Sequence, residues 1–266
     1  MISLGRKQFP STKDELAQAL DEALHRYASK PGRIVDLSVR VFPYIDEIAI
    51  NLDGARVDVQ PPVSPRLVGG TTLAYEAAFV TLTGRQISVR GVPLSLRMEA
   101  RDVVLHKGQD ENGDAVLVVH HMRDGSLALS AVQRELEAAI AEISRREGRG
   151  ITINQVRLAT RARGARSLSA DLSLQARKLF LHSRIEISGQ IDIDDYFTAR
   201  ISNLKCKADG AIGSLACNAL DPIFRQFDGK TFPLASLPLG DIQLHDIRIA
   251  VTDTIEFTAN FASNTG

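Results

Sequence analysis

Few residues in this chain stand in patterns that do chemistry. His120 and His121 are adjacent, but neighbours on a strand point to opposite faces and cannot share one metal ion. Asp110-Glu111-Asn112-Gly113-Asp114 is rich in oxygen ligands, yet it lacks the remaining ligand series and the closing bidentate Glu of a calcium loop. Its Asn-Gly step reads as a hairpin turn. Asp192 and Asp194 share a strand face beside Asp195 and could pair as carboxylates or seat a cation, although a strand end reads as solvated. Gly69-Gly70-Thr71-Thr72 has no lysine and no following helix, so it is not a phosphate loop. No serine lies in a G-x-S-x-G elbow, and neither cysteine carries a local nucleophile signature. The sequence therefore predicts no catalytic residue, no metal site and no cofactor.

Two further groups carry charge or redox chemistry. Cys206 and Cys217 are the only cysteines. They read either as free buried thiols or as a strand-to-helix disulfide, which would require an oxidising compartment. Arg161, Arg163 and Arg166, with Arg157 upstream, crowd one turn. That turn reads as a solvated hairpin tip or as a peripheral contact to anionic lipid, worth about 1 kcal/mol per arginine.

Composition narrows the classes. Lys+Arg and Asp+Glu balance at 32 each in 266 residues, so no global field recruits nucleic acid. Tryptophan is absent and aromatics are 5%, which argues against a base-stacking platform. No apolar run approaches the ~18 residues of a transmembrane helix. The first residues lack the apolar core of a signal peptide, so the sequence as given reads as cytoplasmic, or as trimmed of a leader.

The positioning elements are three striped helices and about a dozen one-sided strands. Helices are expected over residues 12–29, over 126–147, and between Asp209 and Gly229. In the last, Ile212, Leu215, Ala216, Ala219, Leu220, Ile223, Phe224 and Phe227 form one broad oily face. Pro222 either kinks that helix or starts a second one after an Asp221 cap. Residues 61–70, PPVSPRLVGG, read as a loop. In PLSLRMEARDVVLHK the alternation slips at Asp102-Val103, where a bulge would keep Val103 and Leu105 on the apolar side. Turn-sized gaps favour an antiparallel meander. The expected class is α+β: a single domain over 1–266 in which a highly curved antiparallel sheet wraps around long amphipathic helices.

Two regions carry a family resemblance. LAQALDEALHRY followed by RIVDLSVRVFPYIDEIAINLDGARVDV places an amphipathic helix before a strand, an aromatic-Pro break and a second strand. ARISNLKCKADGAIGSLACNALDPIFRQFDGKTFPL followed by IQLHDIRIAV and IEFTANF places a strand, a long apolar helix, a Phe-Asp-Gly turn and paired strands. Together these resemble the tubular lipid-binding (TULIP) superfamily, which includes bactericidal/permeability-increasing proteins and small bacterial lipid-binding relatives. The resemblance implies non-catalytic binding or transport of a lipid in an apolar tube. The residues expected to line it are Phe79, Leu94, Leu96, Met98, Leu172, Leu174, Ile185, Ile187, Leu215, Ala219, Ile223 and Phe227. Met98 suits varied acyl shapes because its thioether is flexible. The alternative expectation is a scaffold or interaction protein of the same fold with no lipid ligand.

Overall fold

The computed structural model describes residues 1–57, 65–147, 152–178, 181–234 and 242–263. In chain order its first elements are β1 (Ile2–Ser3), α1 (Lys13–His25), β2 (Val35–Ser38), β3 (Tyr44–Asn51), β4 (Arg56–Val57), β5 (Leu67–Val89) and β6 (Val92–Asp110). There follow β7 (Ala115–His121), β8 (Asp124–Val132), α2 (Gln133–Glu147), β9 (Thr152–Gly164), β10 (Ser167–Lys178), β11 (Leu181–Ile193) and β12 (Thr198–Ala208). Last come α3 (Gly210–Phe227), β13 (Thr231–Pro233), β14 (Ile242–Val251) and β15 (Thr254–Ser263).

The longest ladder grows from the tightest turn. Arg90 and Gly91 both take positive φ (51° and 84°), the left-handed pair that matches strand twist in a two-residue hairpin. They join β5 to β6, and β6 then changes partner along its length. Ser95–Arg101 pairs with β8, whereas residues from Val104 to Gln109 pair with β7. The switch falls at Asp102, whose φ of 48° marks the expected phase slip, and Val103 and Leu105 stay buried beyond it. Ala77↔Val103 and Phe79↔Arg101 remain in one register across the slip, so both strands turn together. The result is a ten-stranded sheet with the path β14-β15-β8-β6-β5-β3-β2, while β9 to β13 form a second sheet of five strands in the order β13-β12-β11-β10-β9.

This overturns the expected fold class. Strands account for 61% and helices for 19%, and the helices are short: 13, 15 and 18 residues. There are two sheets, with no closed barrel among the described residues, and no sheet wraps a long helical axis. The sheets are not a pure meander either, because β3 and β4 both run parallel to β5. A helix of 18 residues is only about 27 Å long, so it lies along a sheet of this size and cannot thread it. Two local expectations change as well, and one open choice is decided. Residues 126–132 belong to β8 and not to the second helix. Of the expected loop, 61–64 lie outside the described residues, while Leu67–Gly70 begin β5. Pro222 sits inside one continuous α3.

The main core lies under the ten-stranded sheet. The α1 helix starts at a Thr12 cap whose Oγ1 accepts the Glu15 amide, while the Glu15 carboxylate accepts the Ser11 amide at 2.8 Å. Its Leu16, Ala17, Ala19, Leu20 and Ala23 are buried against Ile34, Val35, Ile45, Tyr75 and Ala77. Asp21 Oδ1 ties the helix to β2 by accepting the Ile34 and Val35 amides at 2.6 and 3.0 Å. Tyr75 donates to the Pro10 carbonyl at 2.6 Å, and burial, with the Glu15 charge second, holds its hydroxyl above the usual value. Among the described residues the second sheet joins this core at one end, where Ile193, Phe197 and Ala199 reach it. There the Ile249 amide donates to Ala165 at 2.6 Å, and Arg166 reaches the Ile247 carbonyl.

Candidate functional site

The five-stranded sheet has two faces of opposite character. Register places Val156, Leu174, Ile185 and Ala208 in one row and Leu158, Leu172, Ile187 and Cys206 in the next. On the reverse, Arg157, Ser173, Glu186 and Lys207 form a row beside Ala159, Asp171, Ser188 and Lys205. The first face is apolar because every second residue is, as period-two alternation requires.

One helix, α2, runs along the β9 edge of this sheet, and α3 lies over the apolar face at β11 and β12. Along β9, the Glu137 carboxylate of α2 accepts the Leu158 amide at 2.7 Å, Gln133 donates to the Leu158 carbonyl, and Thr160 donates to Gln133 at 3.1 Å. Along β12, Asp228 at the end of α3 accepts the Leu204 amide at 3.0 Å, and the Gly229 amide donates to Ile201. These contacts satisfy groups that an open edge would leave bare. At its other end α3 is seated by Ser183, which accepts the Gly213 amide at 3.2 Å. Gly210 is required there: its φ is 83°, and an added Cβ would lie 2.9 Å from Ser183 Oγ. A Cys206–Cys217 disulfide then pins the middle of α3 to β12, which decides between the two expected thiol states.

The cover over the apolar face is thin. Among the described residues, Leu174, Ala176 and Ile185 alone form a buried cluster, with Ile140 of α2 and Ala216 and Cys217 of α3 packed against it. Leu158, Leu168, Leu172 and Ile187 are half-buried, and Ile191 is 38% exposed. The main core by contrast holds Leu16, Val35 and Ile247 at 0%.

The residues expected to line a tube are therefore dispersed. Leu172, Leu174, Ile185 and Ile187 do gather on the apolar face of the second sheet. Met98 packs against the main core on β6, Leu94 and Leu96 are half-buried on the same strand, and Phe79 is half-exposed on β5. On α3 the expected stripe splits. Ala216, Leu220, Phe224 and Phe227 are partly buried, whereas Leu215, Ala219 and Ile223 are exposed, Leu215 at 70%; the Ile212 side chain lies outside the described ones. Lys230 lies 4.9 Å from the Phe227 ring centre. Four-residue spacing put both sets in one list; the broad arc wraps too far round the helix for one sheet to cover.

The other candidates resolve into turns. Asp110 accepts the Asn112 and Asp114 amides at 2.9 Å, as a hairpin turn. Asp192 accepts Ser167 Oγ at 2.5 Å, and Asp194 accepts the Tyr196 and Thr198 amides. His120 stacks on His106 at 3.8 Å, away from His121. Of the arginine turn, Arg166 is engaged by Asp195 at 2.9 Å and stacks on Phe197, and Arg163 donates to Gln190 at 3.0 Å. Arg161 stays exposed. No helix among the described residues is long and apolar enough to cross a membrane. Sequence reading passed over the polar reverse face of the second sheet, although the alternation of Arg184, Glu186, Ser188 and Gln190 marked it.

Searches of protein-family models, curated proteins and solved structures return no match. The site's own chemistry is the ground for a functional reading.

Proposed function

We propose that this chain binds a lipid or another hydrophobic ligand, without catalysis, on the apolar face of the five-stranded sheet between α2 and α3. The observation that carries this reading is the incomplete cover of that face. Leu158, Leu168, Leu172, Ile187 and Ile191 keep water-exposed apolar surface that a closed core would bury. An acyl chain laid along them would remove that surface from water with no change in backbone hydrogen bonding. The sequence resemblance to the tubular lipid-binding superfamily favours the same ligand class, with the ligand in an open groove. The peripheral contact to anionic lipid then rests mainly on Arg161, since Arg166 is ion-paired with Asp195 and Arg163 donates to Gln190. A scaffold role is the second reading, favoured by the exposed Leu215, Ala219 and Ile223 on the outer side of α3.

The test is mass spectrometry of solvent extracts of the purified protein, with titration of a dansyl-labelled fatty acid. Saturable uptake that weakens at least fivefold in Ile191→Lys is expected. Absence of both co-purified lipid and saturable uptake would sink the carrier reading. Concentration-dependent self-association lost in Leu215→Ser, with no uptake, would instead select the scaffold.

A further inference from the structure

The polar reverse of the same sheet forms a hollow of about 800 Å³, lined from four strands and from Gln133 and Glu137 of α2. Its charges do not simply cancel. Arg184 and Glu186 pair at 2.9 Å, and Glu137 is turned to the Leu158 amide. Arg157 lies beside the neutral amide of Gln155. Lys205 and Lys207 have no ion-pair partner among the described residues, and β12, TARISNLKCKA, carries no acid to supply one. Arg157, Lys205 and Lys207 thus stand against two carboxylates outside an ion pair, Asp171 and Glu137, leaving one net positive charge, and both unpaired lysines lie on β12.

Their placement is ordered. The rows Arg157–Ser173–Glu186–Lys207 and Ala159–Asp171–Ser188–Lys205 put cations at the two edge strands and hydroxyls and carboxylates on the two middle ones. Three strand gaps separate the rims, so their backbones stand about 14 Å apart. A ligand filling this hollow would meet ammonium and guanidinium groups at its ends. Along its middle it would meet Ser173, Ser188 and Asp171, which exchange hydrogen bonds with hydroxyl groups. Ala159 is the one apolar side chain of these two rows, and Leu158, Leu172 and Ile187, which border the hollow, belong to the rows that face the other side of the sheet.

We propose that this hollow is a second binding site, taking an anionic polyol: a short saccharide that carries carboxylate or phosphate groups. It lies on the opposite side of the sheet from the proposed lipid groove and does not depend on it.

The experiment is calorimetric titration of the full chain with trigalacturonate, with glucose 6-phosphate and with neutral maltotriose. Binding of at least one of the two anionic sugars, and at least tenfold weaker binding of maltotriose, is expected. Lys205→Glu/Lys207→Glu should lower affinity at least tenfold, and the neutral pair Lys205→Gln/Lys207→Gln should act in the same direction if the charge reversal disturbs folding. Ser188→Val should lower affinity at least threefold. If neither anionic sugar binds, or maltotriose binds as tightly, the site is refuted. A loss on charge reversal with no effect of Ser188→Val or Asp171→Asn would mean diffuse adsorption to a basic surface and would equally overturn it. Uptake of the dansyl fatty acid by the lysine variants should match wild type, which separates failure here from failure of the lipid reading.

Discussion

Reduction of the Cys206–Cys217 bond should loosen the second sheet far more than the first. The bond closes a loop with a sequence separation of 11. For that loop the chain-entropy relation gives about 2.8 kcal/mol of stabilisation at room temperature. In a domain of this size that corresponds to a melting temperature lower by roughly 6–11 °C. The loss is local in origin. The α3 helix is otherwise held on β12 by the Ser183–Gly213 contact, the Asp228–Leu204 and Gly229–Ile201 bonds and a thin apolar interface. Urea melts with and without dithiothreitol, with amide exchange read separately over α1 and α3, measure both size and place. The Cys206→Ala/Cys217→Ala variant should reproduce the reduced curve and ignore reductant. A loss under about 0.5 kcal/mol, or two titratable thiols in the unreduced protein, would refute the reasoning. Equal acceleration of exchange in α1 and α3 would refute the claim of locality.

Three further outcomes follow from the packing and the charges. Leu174→Ala should cost about 3 kcal/mol in chemical denaturation, because the side chain is 9% exposed at the centre of the small core, while Leu215→Ala should stay within about 0.5 kcal/mol. Asp21→Ala should cost about 2 kcal/mol, since it leaves the Ile34 and Val35 amides without their acceptor; Asp21→Asn, which keeps the side-chain oxygen, should recover most of it. Desolvation first, and the His120 charge second, hold His106 below the ordinary histidine value. A base depressed in the folded state contributes stability that is whole above the unfolded value near pH 6.5 and falls as the pH drops towards its folded value. Denaturation midpoints should therefore decline below about pH 6.5. In His120→Gln, NMR titration should find His106 moved up towards that value, and an unmoved His106 would exclude the coupling.

Much of the local structure was legible. The α3 span, the turn at Asp110 and the phase slip at Asp102 all follow from nearest neighbours. What failed depended on distant partners. SLALSAV satisfies both periods, with Leu127, Leu129 and Ala131 at spacing two and Leu129, Val132 and Leu136 at helical spacing. The choice falls to strand because β6 and β15 flank it on both sides, and β15 is far along the chain. Gly69 and Gly70 look like a loop until the pairing of Val68 with Gln109 is known. The fold class failed for a related reason: a stripe shows that a helix needs cover, and not whether a sheet covers it on one side or all round. At the candidate site, Leu172, Leu174, Ile185 and Ile187 were legible because strand alternation leaves no choice of face. Leu215, Ala219 and Ile223 were not, since a helix that is apolar over most of its circumference does not say which part it buries.

The partner switch in β6 has a consequence for how the chain comes together. The β5–β6 ladder closes across Arg90 and Gly91 and can form as soon as both strands exist. The β8 strand adds next, but its other edge is completed only by β15, with Thr254 opposite Val132. Everything from Gln133 to Asp253 must be synthesised in between, on the order of 10 s at ordinary rates of translation. Through that interval the nascent protein carries one bare strand edge while the whole second sheet assembles beside it. A holdase chaperone, or a neighbouring nascent chain, would find its opportunity there, and premature termination before Thr254 would leave the edge open for good.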